Sequence, residues 1–398
     1  MRVCVTTEQR FVRTPDKRFW ASAASPYSFW RRYLDAFDEV RVIARVADAA
    51  EPAPSWKRAD GEGVTFESVP YYVGPYQYLL RLRPIHKAVR EAVGPADALI
   101  LRVGSQIAAC LEPVLRTGRP FGLEVVGDPY GFFAPGSVSH PLRPFFRWLF
   151  TRRLRRQCQR ASAVAYVTSG FLQHRYPPSE TAFCTSYSSV ELGEDAFVMA
   201  PRSFDRQSGP MRVVSVASLE LPNKGVDVLI DAAATCIQQG SELELVFIGD
   251  GRCRSEYERR VVRRRIGGHV CFLGTIPTGR PVRDQLDRAQ LFVLAVKGGD
   301  GLPRAMIEAM ARGVPCVGSA VAGIPELLPP EDLVPRGDAN ALARKIREVL
   351  NHPERMARMS AANLARAREY GDSVLGVRRR EFYVHLRRAT QEWLRRVP

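Results

Sequence analysis

The feature that most constrains this chain is a double series of short apolar runs alternating with segments of helical periodicity, interrupted once by a polar stretch at 196–210. In the first half the runs fall at 2–6, 40–46, 64–69, 98–103, 121–126 and 163–168. In the second they fall at 212–217, 243–248, 270–273, 291–296 and 314–317, with helical patterns at 226–239, 252–266, 282–289 and 303–312 between them. Strands that alternate with helices pair in parallel, because each crossover must climb back over the sheet before the next strand can start. The predicted fold class is α/β: two Rossmann-like domains, 1–200 and 211–370, with a cleft between them beyond the carboxyl ends of the strands.

Composition removes other classes. A chain of 398 residues exceeds what one core organises, and 45% hydrophobic with 25% charged residues excludes disorder. No apolar run approaches the ~20 residues of a spanning helix, and residues 2–6 read as a strand rather than a signal-peptide core. The eight cysteines are scattered without a C-x-x-C pair, so neither a disulfide framework nor a zinc site is expected, and a reducing cytoplasm fits. The formal charge of +16 biases encounters toward polyanions: nucleic acid, nucleotide diphosphates or acidic lipid.

The most informative segment is 297–319, KGGDGLPRAMIEAMARGVPCVGS. Gly298, Gly299 and Gly301 let backbone approach a ligand, Pro303 suits a helix start, and Gly313 stops the helix. The unpaired N–H groups and dipole of that N-terminus favour a phosphate. Glu308 and Asp300 are placed to accept hydrogen bonds from sugar hydroxyls, against a plainer reading as a surface charge and a helix cap. Lys224–Gly225 follows the strand 212–217 and offers a cation for a leaving diphosphate, and Gly249–Asp250–Gly251 permits a tight turn after 243–248.

Taken in order, Lys224–Gly225, 248–251, 272–274, Gly301 with 308–311, 313–315 and 323–326 make the chain resemble the retaining glycosyltransferases of family 4, over about 213–350. The resemblance implies the GT-B fold, with an acceptor-side N-terminal domain, a donor-binding C-terminal domain and a final helix, 371–398, packing back on the first domain. It implies a nucleotide diphosphate sugar as donor substrate and no further cofactor. By resemblance Asp300 contacts the donor sugar, Glu308 the ribose, and the amides of Gly301 and Leu302 hold sugar and phosphate, with Gly249 and Gly251 near the nucleotide.

The sequence also departs from the family. Asp300 stands where Glu is usual, and Ser218–Leu219 replaces a common Arg–Leu, so Lys224 must share the phosphate charge with another arginine. No Gly–Gly pair follows the first strand, and 7–25 reads as a loop rich in Arg, Ser and aromatics. Where relatives place a histidine near the donor sugar, Asp128 is the nearest polar candidate here, competing with a turn role before Pro129. No Asp-x-Asp triplet exists, so metal-independent transfer is expected.

Segment 141–160 holds seven arginines, no acid, and Phe145, Phe146, Trp148 and Phe150. That composition fits either a helix on an anionic membrane surface or a covering helix of the domain. The expected function is therefore a cytoplasmic glycosyltransferase, peripheral on the inner face of the plasma membrane, acting on a glycan or lipid-linked acceptor in cell-surface polysaccharide synthesis. The competing readings are a nucleotide-sugar epimerase on the same fold and a basic nucleic-acid-binding protein; no nucleic-acid partner is expected, because no binding module is recognisable.

Overall fold

A computed structural model describes residues 1–396 except 22–24, 54–55, 116–117, 139, 206–208 and 300. Its two sheets are each built around parallel strands. The second runs Val270–Phe272, Leu243–Ile248, Met211–Val216, Leu291–Leu294, Cys316–Ser319, Leu333–Val334 across its width. This is the doubly wound order in which the chain starts at the centre and reverses direction once, leaving a crevice at the reversal. Its central strands are buried on both faces, as a sheet covered by helices on both sides requires.

The first sheet is organised around Arg2–Arg13, which lies between Glu39–Asp48 on one side and Ala98–Val103 on the other. Gly122–Val125, Ala163–Tyr166 and Phe183–Ser186 follow outward from Ala98–Val103, and Val64–Pro70 pairs outside Glu39–Asp48. The first strand is more than twice as long as the apolar run predicts. After an irregularity between Thr6 and Arg10 it continues to Arg13, pairing antiparallel with Phe19–Ala21. Much of the expected loop at 7–25 is thus sheet, because Phe11 is fully buried against Trp30 and Phe66, with ring centroids 6.2 and 4.8 Å away.

The stretch expected to be a linker is held to the second domain by Arg202, whose guanidinium donates to the carbonyls of Arg312, Asp287, Ala289 and Leu286 at 2.7–3.1 Å. Beyond the second sheet, Asp372–Arg396 returns to the first. Phe382 and Leu386 cover Gly122, where a Cβ would collide with Phe382, and Tyr383 packs on Tyr33 at 4.8 Å between centroids. Each such buried ring contributes roughly 1.5–3 kcal/mol of burial, so this helix ties the domains together covalently and by packing.

Candidate active site

Three turns of the second domain meet at the crevice, and glycine is what lets them meet. Gly225 has φ +66° and lies so close to Ala295 that a Cβ would run into its carbonyl oxygen. Gly249, at φ +129°, lies equally close to the Ala217 carbonyl, and a Cβ on Gly251 would strike the backbone of Leu219 and Glu220. Hydrogen bonds then stitch the turns: Leu219 N–H to the Asp250 carbonyl at 3.0 Å, Lys297 N–H to the Asn223 carbonyl at 2.7 Å, and Asn223 Nδ2 to the Gly298 carbonyl at 3.2 Å. Lys224, Gly249, Gly251 and the glycine loop before Arg304–Ala311 are brought to one place.

That loop is also where the domains touch. Gly298 faces the Gly131 carbonyl and Ser137, Gly299 faces Phe132, and Gly301 faces Val126 and Val167, all of the first domain. Leu302 is buried, and the Gly323 N–H donates to the Gly301 carbonyl at 2.8 Å. Asp300 lies outside the described residues.

Helix Arg304–Ala311 places Arg304 and Glu308 one turn apart on the cleft side. Glu308 is partly buried, and desolvation pushes its carboxyl above the ordinary value against the pull of Arg304 and Arg283. Arg304 reaches solvent, yet protein surrounds it densely enough that desolvation lowers its affinity for the proton. Glu308, Arg102, Arg32 and Glu191 lie within its electrostatic reach, the last three from the first domain. Charges of both signs from the two domains therefore meet around Arg304.

Asp128 caps the turn Pro129–Phe132, accepting from Tyr130 N–H at 3.1 Å and Tyr176 Oη at 2.6 Å, and its second oxygen pairs with Arg175. Its buried carboxylate is fully engaged in holding the loop that meets Gly298 and Gly299. Beneath lies a buried network: Glu124 pairs with Arg102 and accepts from Tyr33 Oη and Tyr187 Oη, each at 2.9 Å. Desolvation opposes the charge on Arg102, but Glu124 and the two phenols more than offset it.

Glu326, in the sequence motif but without an assigned role, reaches across to the first domain. Its carboxylate accepts from the N–H groups of Ser169, Gly170 and Phe171 at 2.6, 2.9 and 2.6 Å and from Ser169 Oγ at 2.9 Å. It caps helix Phe171–Arg175 of the opposite domain, an anion on the positive end of a helix. Sequence reasoning passed over Arg304, Arg102, Glu124 and this use of Glu326. A charge inside the apolar runs ALILRV and GLEV was the available signal for Arg102 and Glu124; Glu326 had only its place in the motif 323–326, and Arg304 had none.

Helix Arg143–Arg160 buries Thr151, Leu154, Gln157 and Cys158, and leaves Phe145 and Trp148 about half exposed at 51% and 56%. Among the described residues no helix is long and apolar enough to cross a membrane, and no three metal-ligating side chains cluster.

Residues 210–352 match the family model described as glycosyl transferases group 1. Over 304 residues the chain is 23% identical to Protein CapJ of Staphylococcus aureus, covering 75% of this chain and 73% of that one. It is 32% identical to a putative colanic acid biosynthesis glycosyltransferase, WcaL, of Escherichia coli, over 39% of this chain and only 40% of that relative's length. Sucrose-phosphate synthase from Thermosynechococcus elongatus superposes with TM-score 0.73 at 18% identity, covering 98% of this chain and all (100%) of that one. The family match falls on the domain whose glycine-built turns converge on a helix N-terminus, and the fold match extends over both domains: residues 210–352 form a group 1 glycosyltransferase domain within a chain of GT-B fold.

Proposed function

We propose that the chain transfers a sugar, with retention, from a nucleotide diphosphate to a lipid-linked glycan during assembly of a cell-surface polysaccharide. The observation that carries this reading is the convergence of Lys224, the 249–251 turn and the N-terminus of Arg304–Ala311 at one end of the second sheet. A donor lying there has its diphosphate between that N-terminus and the cations Lys224 and Arg304, which take the charge that develops as the glycosidic bond breaks. Preorganised groups of this kind contribute roughly 3–4 kcal/mol each to a transition state. Glu308 binds the ribose hydroxyls, and Asp300 the sugar. Asp128 acts as a positioning residue for the loop over the sugar, since its oxygens are already engaged.

The acceptor side is supported by names and by surface. Colanic acid synthesis is the role given to the relative WcaL. The exposed Leu142, Phe145 and Trp148, beside arginines, form an apolar and cationic face suited to the anionic inner leaflet. Because cations serve the diphosphate, turnover is expected to persist in excess EDTA. Thermal stability titrated with UDP, GDP and ADP tests the donor site, since the true donor base raises Tm by mass action. A flat response to all three overturns it.

A further inference from the structure

On the outer side of the Asp128 loop lies a depression of about 660 Å³ between Tyr130, Pro135 and helix Arg143–Arg160. Five arginines line it: Arg143, Arg147, Arg152, Arg155 and Arg156. No carboxylate does, and among the described residues none of the five makes an ion pair. Three are held in place through one nitrogen each: Arg143 donates to the Phe133 carbonyl at 3.0 Å, Arg147 to Tyr130 at 3.1 Å and Arg155 to Arg175 at 3.0 Å. Their remaining N–H groups have no carboxylate to satisfy them.

Helical spacing sets these groups in two adjacent rows, 147–151–155 and 148–152–156. At the centre of the first row stands Thr151, 7% exposed, whose Oγ1 is buried without a hydrogen-bond partner while its side chain lines the depression. Buried hydroxyls are ordinarily bonded, so one left unbonded at the wall of a depression keeps a bonding capacity that a rotation of its side chain offers to a ligand. On the rim are Trp148 and, beyond it, the exposed Leu142 and Phe145.

We propose that this depression binds a diphosphate ester carrying a hydrocarbon chain: the phosphates between the two rows, met by the free guanidinium nitrogens and Thr151 Oγ1, the chain along Leu142, Phe145 and Trp148. Guanidinium forks match phosphate oxygens in pairs, which distinguishes such a site from a diffuse basic surface. The inference rests on the acceptor reading above and locates the acceptor's diphosphate. The wall of the site belongs to the loop whose Gly131 and Phe132 meet the donor-side glycines, so an acceptor held here stands one loop away from the cleft.

The test uses the full chain saturated with UDP, to block the donor site, and farnesyl diphosphate, farnesyl monophosphate, inorganic pyrophosphate and phosphatidylglycerol vesicles as probes. Variants are Arg152→Gln with Arg156→Gln, both exposed and free of backbone anchoring, and separately Thr151→Val. Farnesyl diphosphate should bind at least about tenfold more tightly than the monophosphate or pyrophosphate, and both variants should erase that preference without moving UDP affinity. Equal affinity for mono- and diphosphate, or arginine variants that weaken vesicle binding and leave farnesyl diphosphate untouched, would overturn the site. Binding as expected, with transfer to a lipid-free glycan as efficient as to a lipid diphosphate, would keep the site and overturn the acceptor reading instead.

Discussion

The two domains build their faces of the cleft from different material. In the second domain the main chain does the shaping: Gly225, Gly249 and Gly251 sit where a single Cβ would collide with a neighbouring backbone atom, and a helix N-terminus presents its amides. In the first domain the side chains do it. Asp128, Arg175 and Tyr176 hold one loop, and Arg102, Glu124, Tyr33 and Tyr187 hold the floor, joining positions far apart in the chain. A main-chain site tolerates almost any surrounding side chain but no change at its glycines; a side-chain site fails when one partner of a pair is removed.

The largest test of that contrast lies in the floor of the first domain's face. Arg102→Leu leaves Glu124 buried opposite two hydroxyls without its cation, which should cost about 3–5 kcal/mol. Urea unfolding measures it, and an unchanged midpoint would mean that the buried network is ornamental. Next comes the second domain: Gly225→Ala must push the Ala295 carbonyl aside, an overpacking strain of about 1–3 kcal/mol, and, with the proposed donor site there, should abolish nucleotide binding. Gly240→Ala is the control, since φ is again positive, at +85°, but nothing lies within 4 Å, so about 1 kcal/mol or less is expected.

Smaller in energy, Glu308→Ala and Lys224→Ala should each lower kcat/KM at least about tenfold, roughly 1.4 kcal/mol of transition-state stabilisation. Glu308 also sharpens the comparison through pH. Because burial raises its pKa in the folded state, the native form holds the proton more tightly than the unfolded chain. Its ionised carboxylate therefore costs stability above that raised value, and the cost is relieved as pH falls through the window down to about 4.5. Glu308→Gln should accordingly raise Tm at neutral pH while weakening nucleotide binding, with the gain shrinking as pH approaches 4.5. A Tm that falls at neutral pH would show that the carboxylate is satisfied within the apo cleft.

The smallest effect is expected at the bridge between the domains. Glu326→Gln keeps an acceptor but removes the charge on the helix Phe171–Arg175, about 0.3–1 kcal/mol. Solution scattering with and without nucleotide should show a wider cleft in the variant. If scattering profiles coincide, the contact caps a helix without governing closure.

The same division between main chain and side chain decides what could be read in advance. Strands 98–103 and 243–248 were legible to the residue, because burial on both faces of a parallel sheet demands unbroken apolar runs, and the glycine turns were legible because positive φ and close backbone approach admit little else. Where partners are distant in sequence, local pattern carries nothing about them. The first strand's extension to Arg13 depends on Phe11 meeting Trp30 and Phe66, and short strands such as Phe183–Ser186 and Leu333–Val334 exist through their neighbours' pairing. Asp128 shows both halves of the problem: the dipeptide Asp128–Pro129 announced a turn, and only the fold brought Arg175 and Tyr176 to occupy its carboxylate. Sequence by itself determined the α/β class, the tandem arrangement and the glycine turns of the second domain, all of which follow from local sterics and burial. Tertiary structure alone decided which charges face one another across the cleft, because an ion pair such as Arg102–Glu124 or a cap such as Glu326 on Ser169 is set by where the chain returns, not by the residues beside it.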